Sequence, residues 1–167
     1  MLHVLITREV FLGTIKIEYR FQDSKGSVKN FALEFDEDSM QLATAENTVA
    51  PSWAELSFKK CSHCPLDTTV KYCPAARGLA QVADEFKDVK SFELAKVYVV
   101  TKERTYYKEL PLQEGLHGIF GLVMATSGCP HTAPFRAMAR FHLPFASLKE
   151  TMVRVVSFYL LDLYFKL

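Results

Sequence analysis

Four cysteines carry the strongest chemical signal in this sequence. Cys61 and Cys64 form a Cys-x-x-Cys pair, Cys73 follows after eight intervening residues, and Cys129 follows after a further 55. Two intervening residues allow a tight turn to direct both sulfurs at one metal, and four thiolates suit tetrahedral zinc or an iron–sulfur cluster. We therefore predict a shared four-cysteine metal site, with Zn²⁺ and an iron–sulfur cluster both open as its cofactor.

Proline follows Cys64, Cys73 and Cys129. Proline is favoured at the first position of a helix, so the steps after Cys73 and Cys129 predict two helix starts. There, free backbone amides and the helix dipole would stabilise a thiolate. A ligand cysteine followed by proline is typical of iron–sulfur proteins, whereas zinc would also accept His63 or His131 in place of a cysteine.

Two simpler interpretations of the cysteines remain. They could be four reduced thiols, two of them buried at helix starts, or they could form a thiol redox centre. A thioredoxin-like centre requires a strand before the Cys-x-x-Cys pair and a helix directly after it, but residues 65–67 (Pro-Leu-Asp) predict a turn.

A second polar cluster lies beyond the last cysteine. Arg136 and Arg140 are spaced i and i+4 in a short helix predicted over residues 133–141, and His142 follows. Two guanidiniums on one helical face can bind a carboxylate or phosphate, and a histidine can move a proton. We expect these residues, with His131, to bind an anion or a partner; pairing with nearby acids or helix capping is the alternative. The chain has no P-loop, G-x-S-x-G, H-E-x-x-H or paired-carboxylate motif.

The composition predicts an ordinary globular protein. The chain has 167 residues, of which 49% are hydrophobic and 23% charged. A chain of this length can bury a substantial core without a disulfide or a metal. We expect one domain over residues 1–167, with a β-rich part at 1–60 and a cysteine-containing α/β part at 61–167.

Charge and hydropathy exclude two classes of partner. A formal net charge of +1 provides no broad field for nucleic acid. Residues 155–165 are mostly apolar, but eleven residues fall short of the ~20 that a membrane helix needs. Residues 1–9 contain charges where a secretory signal would be apolar. We therefore expect no nucleic-acid partner, no membrane partner and a cytoplasmic location, where thiols stay reduced.

The pattern of apolar residues predicts the strands and helices that position the cysteines and the Arg/His cluster. Alternating apolar residues predict one β-hairpin over residues 15–35, through the turn at 23–26. Residues rich in β-branched and aromatic side chains predict a second hairpin over residues 92–110. Residues 40–43 and 53–58 are candidates for further strands. A helix starting at Pro74 and another starting after Pro111 carry apolar stripes, and Gly128 is placed to end the second.

Three glycines interrupt the second of these helices. Gly115, Gly118 and Gly121 are three residues apart, and each costs about 1 kcal/mol relative to alanine inside a helix. Close approach of a neighbouring backbone is one reason to keep them, and room for a bound group is another.

Ser147 and Glu150 form a capping box that predicts the start of the last helix. This helix runs towards Leu167 and is apolar around more of its circumference than one core can cover. We expect it to contact a protein partner or a second copy of the chain, or the chain to be a fragment that lacks carboxyl-terminal residues.

Together these elements predict an α+β fold in which antiparallel hairpins pack against three or four helices. Several segments, in combination, resemble a bacterial family described only as a domain of unknown function. They are the residues around the Cys-x-x-Cys-Pro-Leu motif at Cys61, the Thr-Ser-Gly-Cys-Pro-His segment ending at His131, and Ala-Arg-Phe-His-Leu-Pro-Phe from Ala139. The resemblance covers about residues 19–164, departs at Ala137 where proline is expected, and implies no activity.

We therefore expect a cytoplasmic metal-binding protein with a mainly structural four-cysteine site and a nearby Arg/His surface. The alternatives are an iron–sulfur redox protein or metal-dependent enzyme, and an interaction module that uses the apolar carboxyl-terminal helix. The sequence leaves open whether the protein is an enzyme.

Overall fold

A computed structural model describes residues 13–43 and 50–166. Within them the chain forms a four-stranded antiparallel sheet and four α-helices, so the predicted α+β class is confirmed. The strands are β1 (Thr14–Gln22), β2 (Val28–Asp36), β3 (Leu94–Val100) and β4 (Thr105–Pro111), in the order β2-β1-β3-β4. The expectation for residues 1–9 lies outside the described residues.

Both predicted hairpins are present. In the first, Tyr19 of β1 pairs with Phe31 of β2, and the Asp23 carboxylate accepts hydrogen bonds from the Lys25 and Ser27 amides in the turn. Gly26 adopts φ +86°, a left-handed conformation that glycine takes without a Cβ clash. The second hairpin joins the first through antiparallel pairing of β1 with β3, which makes β1 and β3 the central strands.

The strands proposed at 40–43 and 53–58 are wrong. In the first segment Leu42 makes a single bridge to Phe35, after a turn in which the Asp36 carboxylate accepts from the Ser39 amide at 2.7 Å. Met40 has φ +54°, which ends the extended conformation. In the second segment Ser52–Ala54 forms a 3₁₀ turn, and only Glu55 bridges, to Tyr72.

One face of the sheet is covered by α1 (Pro74–Phe86) and α2 (Leu112–Thr126). Helix α1 begins at the predicted proline, and Gly128 follows α2 with φ +89°, as a helix-ending glycine does. The core lies between this sheet face and the two helices. Its fully buried members include Tyr19, Phe35, Val97, Val99, Ile119 and Val123.

Two further helices follow α2. The helix expected at 133–141 is a 3₁₀ turn at Ala133–Phe135 that leads into the short α3 (Arg136–Arg140). The predicted capping box starts α4 (Leu148–Lys166): the Ser147 amide donates to Glu150 Oε2 at 2.8 Å, and the Glu150 amide donates to Ser147 Oγ at 3.3 Å. None of the described helices is both long and apolar enough to span a bilayer.

Candidate functional site

Cys61 and Cys64 lie on a tight turn, as their spacing predicts. The Cys64 amide donates to the Cys61 carbonyl oxygen at 3.0 Å, and Lys60 Nζ donates to the Leu66 carbonyl oxygen across the same loop. Cys61 is exposed and Cys64 is half-buried, and both thiols are free. The turn therefore carries two free thiols that are three positions apart in the sequence.

Cys73 caps the start of α1, which confirms the first predicted helix start. Its amide donates to the Ala54 carbonyl at 2.9 Å, and its carbonyl accepts from the Arg77 amide at 2.9 Å. The side chain makes no capping hydrogen bond. Cys73 is thus fixed at the amino terminus of α1 by its backbone, and its thiol is free.

Cys129 is placed differently from the prediction. Its carbonyl accepts from the amides of Thr132 and Ala133 at 3.2 and 3.0 Å, so the residue sits in a turn between α2 and the 3₁₀ turn. The α-helix begins only at Arg136. The predicted helix start directly after Cys129 is therefore wrong, because Pro130 is used in a turn rather than as a first helical residue.

The cysteine-bearing segments gather at one end of the α1–α2 pair. The rings of His63 and His131 have centroids 4.3 Å apart, which joins the Cys61–Cys64 loop to the Cys129 turn. At the same end, a Cβ added to Gly78 would lie 2.9 Å from Val123 Cγ1 and 3.8 Å from Ser127 Cβ. The beginning of α1, which carries Cys73, therefore packs against the end of α2, which leads to Cys129.

The thiols do not form a closed metal site in this arrangement. Within residues 13–43 and 50–166, no three His, Cys, Asp or Glu side chains are grouped closely enough to hold one metal ion. The fold does bring the Cys61–Cys64 loop close to the Cys129 turn, through the contact of His63 with His131.

The second polar cluster is built around His142. Its Nε2 and the Tyr19 hydroxyl oxygen lie 2.5 Å apart and share a hydrogen bond. Burial, and then the charge of Arg154, lower the pKa of His142 to about 4, and burial raises the pKa of Tyr19 above its ordinary value. Both groups are therefore neutral at pH 7.

Arg154 of α4 supplies the charge beside this neutral pair. Its Nη2 donates to the carbonyl oxygens of Met138 at 2.9 Å and Phe141 at 2.5 Å, which ties α4 to the end of α3. Burial lowers the pKa of Arg154, and among the described residues no carboxylate forms an ion pair with it. Within the described part of the chain, two backbone carbonyls thus hold the guanidinium and no carboxylate pairs with it.

The predicted anion-binding residues separate into two places. Arg140 and His142 line the same cavity, of about 1070 Å³, beside β1 and the β3–β4 turn. His131 instead contacts His63 at the cysteine end. Arg136 is half-buried, and its Nε has no hydrogen-bond partner among the described residues.

A second cleft, of about 930 Å³, lies between α2 and the α3–α4 segment. His142, Leu143 and Arg154 line both cavities and so form the wall between them. Gly118 and Gly121 of α2 line only the second cleft. His142 and Arg154 therefore place polar groups at the edge of the second cleft, whose other lining residues are mostly apolar.

The three glycines of α2 have different surroundings. A Cβ on Gly115 would meet Val97 Cγ2 at 2.9 Å, and a Cβ on Gly118 would meet the Tyr19 hydroxyl at 2.7 Å. Both permit close packing against the sheet. A Cβ on Gly121 would have no neighbour within 4 Å, so this glycine opens onto the second cleft.

Sequence reasoning did not single out Tyr19 or Arg154 as site residues. In the sequence, Tyr19 is one of the alternating residues that face the core from β1. The contacts of its hydroxyl with Gly118 and His142 depend on the tertiary packing. Arg154 did carry a signal, because it is the one charged residue in the mostly apolar stretch 152–161 of the last helix.

Comparison with known proteins gives one match. A family model with the description "Domain of unknown function (DUF6901)" matches residues 17–167, which confirms the resemblance to a domain of unknown function. No curated protein and no solved structure matches the chain.

Proposed function

Because the chain belongs to the DUF6901 family, whose description names no activity, we propose its function from the site itself: it binds a metal through Cys61, Cys64, Cys73 and Cys129. The metal is a zinc ion or an iron–sulfur cluster, and its role is mainly structural. Of the predicted Arg/His residues, Arg140 and His142 line one cavity, and we propose that an anionic ligand or a partner binds there.

The observation that carries this proposal is the contact between the His63 and His131 rings, with centroids 4.3 Å apart. It brings together two cysteine-bearing loops that are far apart in the sequence. Cys73 lies in a third segment of the chain, at the start of α1. A shared site needs this convergence, since the four ligands come from three separate parts of the chain.

In this proposal, metal binding would draw together loops that already lie near one another. The Cys61–Cys64 loop is held by hydrogen bonds at its base, while Cys61 itself is exposed. In the proposed bound state this loop and the Cys129 turn draw closer around the metal. A metal bound by all four thiolates would cross-link three segments that the described hydrogen bonds only place side by side.

Thermal unfolding tests the structural role directly. We expect a lower melting temperature after a chelator has removed the metal, and recovery when zinc is returned or the cluster is rebuilt. Unchanged melting before and after removal of a confirmed metal would contradict a structural role.

The iron–sulfur alternative has a distinct signature. A cluster absorbs visible light and can cycle electrons, whereas a zinc ion bound by four thiolates is colourless and has no open position for a substrate. A brown, oxygen-sensitive protein with a reversible reduction step would support a redox protein or enzyme, and a colourless protein would exclude the cluster. Reduced thiols in either site accord with the cytoplasmic location that we propose.

A second candidate function rests on α4. No described residue of this helix is buried, and its inner face, at Thr151, Arg154, Val155 and Phe158, is half-buried against the rest of the chain. At 100° per residue, a stripe of Val153, Val156, Leu160 and Leu163 lies on the opposite face with 3-4-3 spacing. These four side chains are 44–58% exposed.

This spacing is that of a coiled-coil seam, which is complementary to a copy of itself. We propose that the chain associates with a second copy through this stripe. The test compares the association of Leu160→Glu, on the stripe, with that of Leu161→Glu, beside it.

A further inference from the structure

The cleft between α2 and the α3–α4 segment has the size and lining of a small-molecule site. Its volume of about 930 Å³ is within the range of ligand pockets. Apolar side chains make up much of its wall, including Leu122, Ala125, Phe135, Met138 and Phe145. An occupant would therefore need a largely apolar body.

Gly121 is an exposed residue of α2 that lines this cleft. Apart from its own helical turn, no described atom lies within 4 Å of the position that its Cβ would take, so no packing contact explains the glycine. The two other glycines of α2 are explained by contacts with Val97 and Tyr19. An apolar group can thus approach the α2 backbone at Gly121.

Arg154 gives the cleft its charge. Among the charged residues that line it, Lys108 and Arg154 are opposed only by Glu114, which leaves one net positive charge with histidine neutral. Arg154 is held by the Met138 and Phe141 carbonyls and has no carboxylate partner among the described residues. A fixed guanidinium next to an apolar space favours a single carboxylate.

His142 and Tyr19 complete the polar end. The pair is joined by its own hydrogen bond, and the imidazole lines the cleft beside Arg154. These groups supply polarity without a second charge, which again matches a monoanion.

We propose that this cleft binds an organic monocarboxylate, with the carboxylate on Arg154 and the apolar chain or ring against Gly121 and Ala125. The inference assigns a ligand class to the part of the proposed Arg/His surface that includes His142, and it does not depend on the metal. The cation is Arg154, because Arg136 and Arg140 do not line this cleft.

Calorimetric titration of the full chain with decanoate tests the proposal, with decanol as the uncharged comparison. We expect decanoate to bind at one site and decanol to bind at least about tenfold more weakly, since a charge-assisted contact to a guanidinium is worth that much. Equal affinity for the two compounds would overturn the assignment of the carboxylate to Arg154.

Two variants locate the site. Arg154→Gln should weaken decanoate by about tenfold or more and leave decanol nearly unchanged. Gly121→Leu should abolish binding of both compounds, because its side chain fills part of the cleft. Since a Cβ at this exposed position meets no neighbour, and leucine favours a helix more than glycine does, Gly121→Leu should fold even if Arg154→Gln does not.

Retained decanoate binding by Gly121→Leu, or no binding by the unmodified chain, would overturn the proposal. The metal content of the same samples reports separately on the cysteine site, so failure of one claim is distinguishable from failure of the other.

Discussion

The imidazole rings of His63 and His131 lie 4.3 Å apart between centroids, although 67 residues separate them in the sequence. This contact makes neighbours of the Cys-x-x-Cys loop and the Cys129 turn. The proposed metal site depends on this contact, because the contact is what brings cysteines from two distant parts of the sequence near one another.

Replacing one cysteine should remove the metal and destabilise the fold. We expect Cys64→Ala to lose bound metal and to lower the free energy of unfolding by about 4 kcal/mol or more, a size typical of losing a structural metal. Elemental analysis and urea unfolding measure the two effects. Ser62→Ala, in the same exposed turn, is the matched control and should change neither. Unchanged metal content in Cys64→Ala would exclude this residue as a ligand.

Replacing His131 should show whether its ring only packs against His63 or also coordinates the metal. His131→Phe keeps an aromatic ring against His63 but cannot coordinate zinc through nitrogen. If the four thiolates are the ligands, we expect this variant to retain its metal as measured by elemental analysis. Loss of the metal from His131→Phe, with the fold intact by circular dichroism, would show that His131 is a ligand and that the four-cysteine assignment is wrong.

Stability should fall in mild acid through His142. Because the pKa of His142 in the folded chain is about 4, against ~6.5 when unfolded, the unfolded state takes up the proton first. The stabilising effect of the neutral ring is fully present above pH 6.5 and is lost progressively down to about pH 4, by up to about 3 kcal/mol.

Urea unfolding between pH 7 and pH 4.5 measures this dependence, with His142→Gln as the comparison. Glutamine keeps a neutral hydrogen-bonding group near Tyr19 but does not titrate. We expect a shallower loss of stability in the variant. Identical pH dependence in the two proteins would contradict a buried, neutral His142.

Two alanine substitutions on α2 should have opposite effects. Gly121→Ala should raise the free energy of unfolding by about 0.5–1 kcal/mol, because alanine favours a helix and its Cβ meets no neighbour. Gly118→Ala brings the same helical gain, but its Cβ would lie 2.7 Å from the Tyr19 hydroxyl. We expect overpacking to lower stability there by about 1–3 kcal/mol. Denaturant melts of the two variants give the comparison, and equal effects would contradict it.

A change of one residue along α4 should decide whether its outer stripe is a contact surface. Leu160 lies on the stripe and Leu161 lies beside it, and both are about half exposed, at 55% and 51%. We expect Leu160→Glu to weaken concentration-dependent association and Leu161→Glu to leave it largely intact, as measured by sedimentation equilibrium. A monomeric unmodified chain at all concentrations would exclude this contact.

Local signals in the sequence predicted most of the elements. Alternation located β1 and β2, and β-rich composition located β3 and β4. Pro74 located the start of α1, Gly128 located the end of α2, and the Ser147–Glu150 capping box located the start of α4. Each of these signals lies within a few residues of the structure that it specifies. The strands proposed at 40–43 and 53–58 failed because apolar residues there serve turns and isolated bridges.

The sites depend on contacts that no local pattern contains. The proximity of His63 to His131 follows from the packing of α1 on α2, and the Tyr19–His142 hydrogen bond joins residues 123 positions apart. The sequence indicated the residue types at both sites. It did not indicate that His131 and His142 belong to different clusters, or that Arg154 rather than Arg136 stands beside His142.

Metal analysis with a visible absorption spectrum, on the full chain purified without oxygen or chelators, tests the central claim most directly. The account predicts either about one zinc per chain and no colour, or iron with acid-labile sulfide and visible absorption. In both cases Cys64→Ala, purified in the same way, should lack the metal. Absence of zinc and iron from the unmodified chain, or equal metal in the Cys64→Ala variant, would contradict it.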